Sequence, residues 1–116
     1  MSNEGLLLGR RAAVRANDFV DAVSMGRIRC MDPDTNAVLI ELDAPLHANG
    51  LRFTHIVASA RLARDNIEAL VSTGALGCGV TWVPEGRFDV NAPLDLSWWR
   101  GGAAAIAELV LLGEDG

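Results

Sequence analysis

The sequence predicts an α+β fold, in which an antiparallel β-sheet, either open or barrel-like, packs against one or two helices. Three observations support this prediction: a hairpin pattern within residues 26–42, a helical apolar pattern near residues 60–73, and a glycine-rich alternating strand after it. Strand patterns outnumber helical ones, and a parallel sheet would need more crossover helices. We expect a flexible N-terminal arm over residues 1–9 and a single α+β domain over residues 10–116.

Length and composition are those of an ordinary globular domain. The 116 residues are 50% hydrophobic and 22% charged, which is close to average usage in folded domains and unlike that of disordered chains. No apolar run approaches the roughly 18 residues that span a bilayer. The first residues also lack the basic and apolar regions of a secretory signal. We therefore expect a soluble cytoplasmic protein.

The charge balance bears on the class of partner. The net charge is −5, and all ten basic residues are arginines. An acidic chain is a poor ligand for nucleic acids and anionic membranes, because phosphate binding is driven by cations that release counterions. We expect neither partner. Arginine suits bidentate anion recognition, but lysine, tyrosine and glutamine are absent together, which favours the biased codon usage of a GC-rich, bacterial-like genome.

The N-terminal segment predicts a first edge strand. Arg10, Arg11 and Arg15 flank an Ala-Ala-Val run, and basic side chains protect an exposed sheet edge from pairing with another chain. The Arg11-x-x-x-Arg15 spacing is also similar to the arginine arm of PilZ domains, which bind a cyclic dinucleotide beside a β-barrel. That family needs a D-x-S-x-x-G element as well, and Asp21–Gly26 departs from its internal spacing. Binding of a nucleotide signal by these arginines is one alternative function.

The clearest local unit is a β-hairpin. Two alternating segments, Gly26–Met31 and Ala37–Leu42, flank the turn Asp32–Asn36, whose proline presets the backbone of the turn. If the ends nearest the turn pair directly, Ile28 lies opposite Ile40 on an apolar side. The same register predicts four further pairs: Met31–Ala37, Cys30–Val38, Arg29–Leu39 and the opposite charges Arg27–Glu41.

The middle of the chain predicts a loop, a strand and a helix. Asp43–Gly50 is rich in turn residues. Leu51–Ala58 then alternates as a strand, with its odd-numbered residues, His55 among them, on one side. From residue 60 to residue 73 the apolar spacing becomes helical, and Gly74 stands where a glycine often ends a helix.

The C-terminal third predicts a buried strand and leaves the last element open. Leu76–Trp82 alternates apolar residues with small ones, which indicates a strand whose small side lies close to other backbone. Ala103–Leu112 has helical composition, yet Ile106, Glu108 and Val110 alternate as in a strand. Short apolar runs do not distinguish the two forms, so helix and strand both remain open.

His55 is the one catalytic candidate. Hydroxyl groups are available nearby in sequence at Thr54 and Ser59. The carboxylates that could orient the ring are Asp43, Asp65 and Asp89. A nucleophile, base and acid are recognised by their geometry. The alternative is a histidine that is hydrogen-bonded within the core.

Other common site chemistries are disfavoured by spacing. His47, His55, Cys30 and Cys78 could in principle bind zinc, but no two of them lie within four residues of each other, whereas zinc sites usually use closely spaced pairs. The glycines of residues 74–79 follow a helical pattern and precede a strand, the reverse of a phosphate-binding loop. No serine has a G-x-S-x-G context. We expect no metal and no cofactor.

The predicted binding segment is Trp98-Trp99-Arg100. Adjacent tryptophans in an extended chain point to opposite sides, so one of them can lie at the surface beside Arg100. Trp and Arg are the residue types most enriched at interface hot spots. In the alternative arrangement one tryptophan fills an open end of the sheet and Arg100 stacks on it.

Together these features favour a small acidic binding or assembly module that is not an enzyme. Its partner would be another protein or a second copy of the chain, contacted through Trp98–Arg100 and a neighbouring sheet edge. The alternative function is a small enzyme or small-ligand-binding domain that uses His55 with nearby acidic residues.

Overall fold

The computed structural model describes residues 8–16, 22–32, 37–48, 50–60, 74–86 and 105–112. These residues form six strands and contain no helix. The strands are β1 (Arg11–Ala16), β2 (Ala22–Asp32), β3 (Ala37–Ala48), β4 (Leu51–Ala60), β5 (Ala75–Pro84) and β6 (Ala105–Leu111). Of the predicted N-terminal arm only Leu8 and Gly9 are described, and the Gly9 amide donates to the Ile28 carbonyl at 2.8 Å.

The six strands close into one antiparallel barrel. Each strand pairs with the next in sequence, and β1 pairs with β6. Ala13 of β1 lies opposite Met25 of β2 on one side and Val110 of β6 on the other. The first strand, predicted as an edge, is therefore paired on both sides. Closure removes the two edges that an open six-stranded sheet would have.

The predicted α+β class is wrong, because the described chain is an all-β barrel. The barrel form of the predicted sheet is confirmed. Ala60, where the helical pattern began, ends β4 and pairs with Cys78 of β5. The rest of the predicted helix, residues 61–73, lies outside the described residues.

The last described element is a strand, so the helical alternative for the C-terminal segment is wrong. In β6, Ala107 and Leu109 point into the barrel, whereas Ile106 and Glu108 are exposed. Alanine and leucine favour helix only weakly as single residues. Here the strand is paired with β5 on one side and β1 on the other, and these long-range pairings outweigh local preference.

Alternate side chains from all six strands fill the barrel interior. Because side chains alternate between the two faces of a strand, every second residue reaches the interior. The buried members are Ala12, Val14, Ile28, Met31, Val38, Ile40, Leu42, Phe53, Ile56, Ala58, Cys78, Val80, Trp82, Ala107 and Leu109. Full burial of a large apolar side chain stabilises the fold by about 1.5–3 kcal/mol. The predicted inward side of β5, with Cys78 and Trp82, is confirmed.

The predicted hairpin register is right at one end and wrong by one residue at the other. Three pairs agree with the prediction: Gly26–Leu42, Arg27–Glu41 and Ile28–Ile40. A bulge at Arg29 then shifts the register, so that Cys30 pairs with Leu39 and Met31 with Val38. A bulge adds one residue to one strand, so that the side chains after it point to the opposite side of the sheet from the one that simple alternation predicts. Met31 consequently points into the barrel, and Cys30 packs on the outside.

Gly26 allows β2 and β3 to approach closely just before this bulge. A Cβ atom at this position would lie 2.1 Å from the Glu41 carbonyl oxygen and 2.9 Å from Cγ2 of Ile40. Both distances are far below van der Waals contact. Glycine is therefore required here by the close packing of one backbone on another.

The outer surface of the barrel has two contrasting parts. On β3, β4 and β5, four outward residues are buried, and we call them the covered face: Ala37, Leu39 and Val57 at 0% exposure and Val83 at 3%. On β2, β1 and β6, seven outward residues form what we call the open face: Ala13, Arg15, Val23, Met25, Ile106, Glu108 and Val110. Two of them are less exposed, since Ala13 is 9% exposed and Val110 is partly buried. Val23, Met25 and Ile106 are 51%, 46% and 53% exposed.

Candidate functional site

His55 is positioned by a bulge in β4. Phe53 pairs with Pro84 of β5 and His55 with Val83, so Thr54 is the extra residue between them. Phe53 points into the barrel, whereas His55 lies on the outer side between Glu41 of β3 and Val83 of β5. The prediction that all odd-numbered residues of this strand share one side is therefore wrong, because the bulge reverses the alternation.

The His55 ring is enclosed, and two of its polar neighbours lie in the described part of the chain. The residue is 8% exposed, and Thr54 Oγ1 lies 2.8 Å from Nδ1. Oε2 of Glu41 lies 3.9 Å from Nε2. Burial lowers the pKa of His55 below its usual 6.5, the Glu41 carboxylate opposes this effect, and the Arg29 guanidinium adds to it. The ring is consequently neutral in most molecules at pH 7.

Glu41 and Arg29 are the charged residues that the structure places beside His55. Glu41 lies directly opposite the ring on β3. The bulge on β2 brings Nε of Arg29 to 3.8 Å from Oε1 of Glu41. Sequence reasoning missed both as neighbours of His55, because that contact depends on how β3 and β4 pair. The Asn49-Gly50 dipeptide is a strong hairpin signal that could have revealed this pairing, and Ala48 does pair with Leu51.

Of the three carboxylates predicted to orient His55, the described residues include one. Asp43 forms an ion pair with Arg11 of β1. Asp65 and Asp89 lie outside the described residues. Ser59, one of the two candidate hydroxyls, pairs with Ala37 four ladder positions beyond His55. Among the predicted partners that the structure describes, Thr54 contacts the ring.

The predicted binding segment, Trp98–Arg100, lies outside the described residues. The three N-terminal arginines are described and do not converge on one site. Nη2 of Arg10 donates to the Leu112 carbonyl at 3.1 Å, and Arg11 pairs with Asp43. Both contacts hold parts of the barrel together. Arg15 lies apart from them on the open face.

The four residues considered for zinc are not assembled. Cys78 lies in the barrel interior, and Cys30 packs on the outer side. His47 lies opposite Arg52 near the tip of the β3–β4 hairpin. Within the described ranges, no three of the histidine, cysteine, aspartate and glutamate side chains are grouped to hold a metal ion. An open depression of about 390 Å³ at the hairpin tip is lined by His47, Ala48, Gly50, Leu51 and Arg52.

The open face is centred on two neighbouring opposite charges. Arg15 in the middle strand lies opposite Glu108 of β6 and opposite Val23 of β2. In the next outward row, Ala13 lies between Met25 and Val110. Ile106 lies on the same side of β6 as Glu108, one outward position further along. Apolar side chains therefore flank a pair of exposed charged ones, except on the β5 side, where Glu108 lies opposite the exposed Gly77.

Comparison with known proteins does not favour either site. No family model matches the chain, and no curated protein and no solved structure is significantly similar to it. The part of the chain that the structure describes includes no helix long and apolar enough to cross a membrane. The open face and the His55 site are the two candidate sites among the described residues.

Proposed function

We propose that this chain is a small acidic binding or assembly module, not an enzyme, which acts through protein–protein contacts at the open face. One observation carries the proposal. Val23 and Met25 of β2 and Ile106 of β6 are all about half exposed on the same outer side of the barrel, on the two strands that flank β1. Single exposed apolar residues are common, but a group of them on one regular surface is typical of an interaction site.

The backbone of the open face favours recognition by side chains. β1 is hydrogen-bonded to β2 on one side and to β6 on the other, so a partner cannot extend the sheet there by adding a strand. The six residues of β1, at about 3.3 Å each, give the face a length of about 20 Å. The two strands that flank β1 lie about 10 Å apart. A face of this size corresponds to a small, reversible interface rather than a permanent one.

The charge of the chain supports a protein as the partner. At a net charge of −5 the chain would repel phosphate backbones and anionic lipid surfaces. We place the module in the cytoplasm: its apolar barrel core and two thiol cysteines fit a reducing compartment.

The proposal is tested by photo-crosslinking in cells that naturally make the protein. A benzophenone amino acid replaces Met25 on the open face, and a matched control carries it at Leu51, which is 50% exposed at the hairpin tip. We expect a defined crosslinked protein from position 25 that is at least fivefold weaker from position 51. Equal labelling from the two positions would show that the open face is not a contact surface.

A second candidate function rests on the contact between Thr54 and His55. A hydroxyl group 2.8 Å from a neutral imidazole, with a carboxylate on its other side, has the composition of a nucleophile, base and acid set. The site would then serve a small enzyme or a small-ligand-binding domain. The low exposure of His55 disfavours access by a substrate. A panel of activated esters tests this function, because a rate above background that is lost in His55→Gln and kept in His47→Gln would support it.

A further inference from the structure

We propose that the partner of the open face is a second copy of this chain, packed so that Arg15 of each copy pairs with Glu108 of the other. The inference rests on the proposed function and specifies the partner. Arg15 and Glu108 are exposed and lie directly opposite each other on adjacent strands. The backbones of two neighbouring strands lie about 4.8 Å apart.

Such a pair is complementary to its own copy. A two-fold axis that runs along the strands, between β1 and β6, lays β1 of each copy over β6 of the other. This rotation exchanges the two strands but keeps each residue at its height along the axis. Arg15 then faces Glu108 twice, once on each side of the axis, and Ala13 faces Val110. Two-fold contacts are the commonest form of self-association, because every contact is made twice.

The other ion pairs of the described residues set Arg15 and Glu108 apart. Arg11, Arg29 and Arg52 each lie within 4.0 Å of a carboxylate of the same chain. Although Arg15 and Glu108 are cross-strand neighbours, their charged atoms do not form an ion pair. In the described ranges no carboxylate oxygen lies within 4.0 Å of the Arg15 guanidinium, and no basic nitrogen lies within 4.0 Å of the Glu108 carboxylate. Both charges are therefore available for pairing across an interface. The surrounding apolar residues would exclude water from them and strengthen the contact.

Association is measured by sedimentation velocity over a range of concentrations. The monomer has a mass of 12.3 kDa, and we expect the weight-average mass to rise toward twice this value as concentration increases. The Arg15→Glu and Glu108→Arg variants should each weaken association at least tenfold, because like charges then face each other. Arg52→Glu makes the same charge change at the hairpin tip and should leave association unchanged.

Mixing the two variants is the decisive measurement. One variant presents two acidic residues at the centre of the face, and the other presents two basic ones. An equimolar mixture should therefore form a heterodimer at concentrations where each variant alone is monomeric. Rising salt concentration should weaken this heterodimer, because ions screen the attraction between the exposed acidic face of one variant and the exposed basic face of the other as they associate.

The possible failures are distinguishable. A wild-type chain that stays monomeric up to about 1 mM, a range that includes very weak association, overturns the inference. A dimer that is unaffected by both charge variants also overturns it. If position 25 crosslinks to a different protein while the chain is monomeric, the inference fails and the proposed function stands. If the chain is monomeric and position 25 labels no more than position 51, both fail.

Discussion

The covered face and the open face are made of similar residues and differ in what they contribute. Leu39 and Val57 point away from the barrel interior and are fully buried, so the sheet is buried on both sides there. Met25 and Val23 also point outward, but about half of each remains exposed. The role of an apolar residue on the outer side of a barrel therefore depends on its exposure. On the covered face it stabilises the fold, and on the open face it is available for binding.

Leu39→Ala should have the largest effect. Truncation of a fully buried leucine removes transfer free energy and leaves a cavity, so we expect a loss of about 2–5 kcal/mol in the free energy of unfolding. Urea denaturation measures this loss. Met25→Ala on the open face is the matched control and should change stability by about 0.5 kcal/mol or less. Similar losses in the two variants would contradict the distinction between the faces.

Gly26→Ala tests the close contact between β2, which belongs to the open face, and β3, which belongs to the covered face. The added methyl group would collide with the Glu41 carbonyl, which belongs to the backbone and cannot rotate away. Overpacking of this kind costs about 1–3 kcal/mol, and thermal unfolding should show a lower midpoint. Ser24→Ala, two residues away on β2, is the control. A midpoint in Gly26→Ala no lower than in that control would show that β2 and β3 can separate at low cost.

His55 should make stability depend on pH at the border of the covered face. Because the pKa of His55 is lowered in the folded state, the unfolded chain binds its proton first as pH falls. Stability should therefore be highest above pH 6.5 and decrease as pH drops below that value. Urea denaturation at several pH values measures this, and the decrease should be smaller in His55→Gln. His47→Gln, which alters an exposed ring, should keep the full decrease.

Glu41→Gln and Arg29→Gln should have the smallest effects on stability, because both side chains are about half exposed. Their effects on His55 should be opposite in sign. Loss of the Glu41 carboxylate should lower the pKa of His55 further, and loss of the Arg29 guanidinium should raise it. An NMR titration of the imidazole measures both shifts. Shifts of the same sign would show that these charges do not act directly on the ring.

Local patterns predicted those parts of the molecule that depend on neighbouring residues. Alternation and opposite charges were sufficient for the pairs from Gly26 to Ile28. The bulge at Arg29 was not predictable from them, because the alternation of Arg27, Ile28, Arg29 and Cys30 continues across it without a residue that marks the change of register. The form of residues 105–111 depends on pairing with β1, at the other end of the sequence.

The candidate sites were predicted only in part, for the same reason. His55 and Thr54 were identified as chemistry-bearing residues, and they are in contact. Glu41 was assigned to a surface pair with Arg27, since its contact with His55 requires knowledge of the β3–β4 pairing. The open face could not be predicted at all. Val23 and Ile106 are more than 80 residues apart in sequence, and only barrel closure brings their strands onto one surface.

Closure of the barrel also has a consequence for how the chain folds during its synthesis. Ala12 pairs with Leu111, and at 5–20 residues per second the ribosome needs about 5–20 seconds to make the intervening segment. Throughout that interval β1 is an edge strand that can pair with other chains. Arg11 and Arg15 lie on this strand, and charged side chains discourage such pairing. The arginines of β1 would thus protect the nascent chain from aggregation until the last strand arrives.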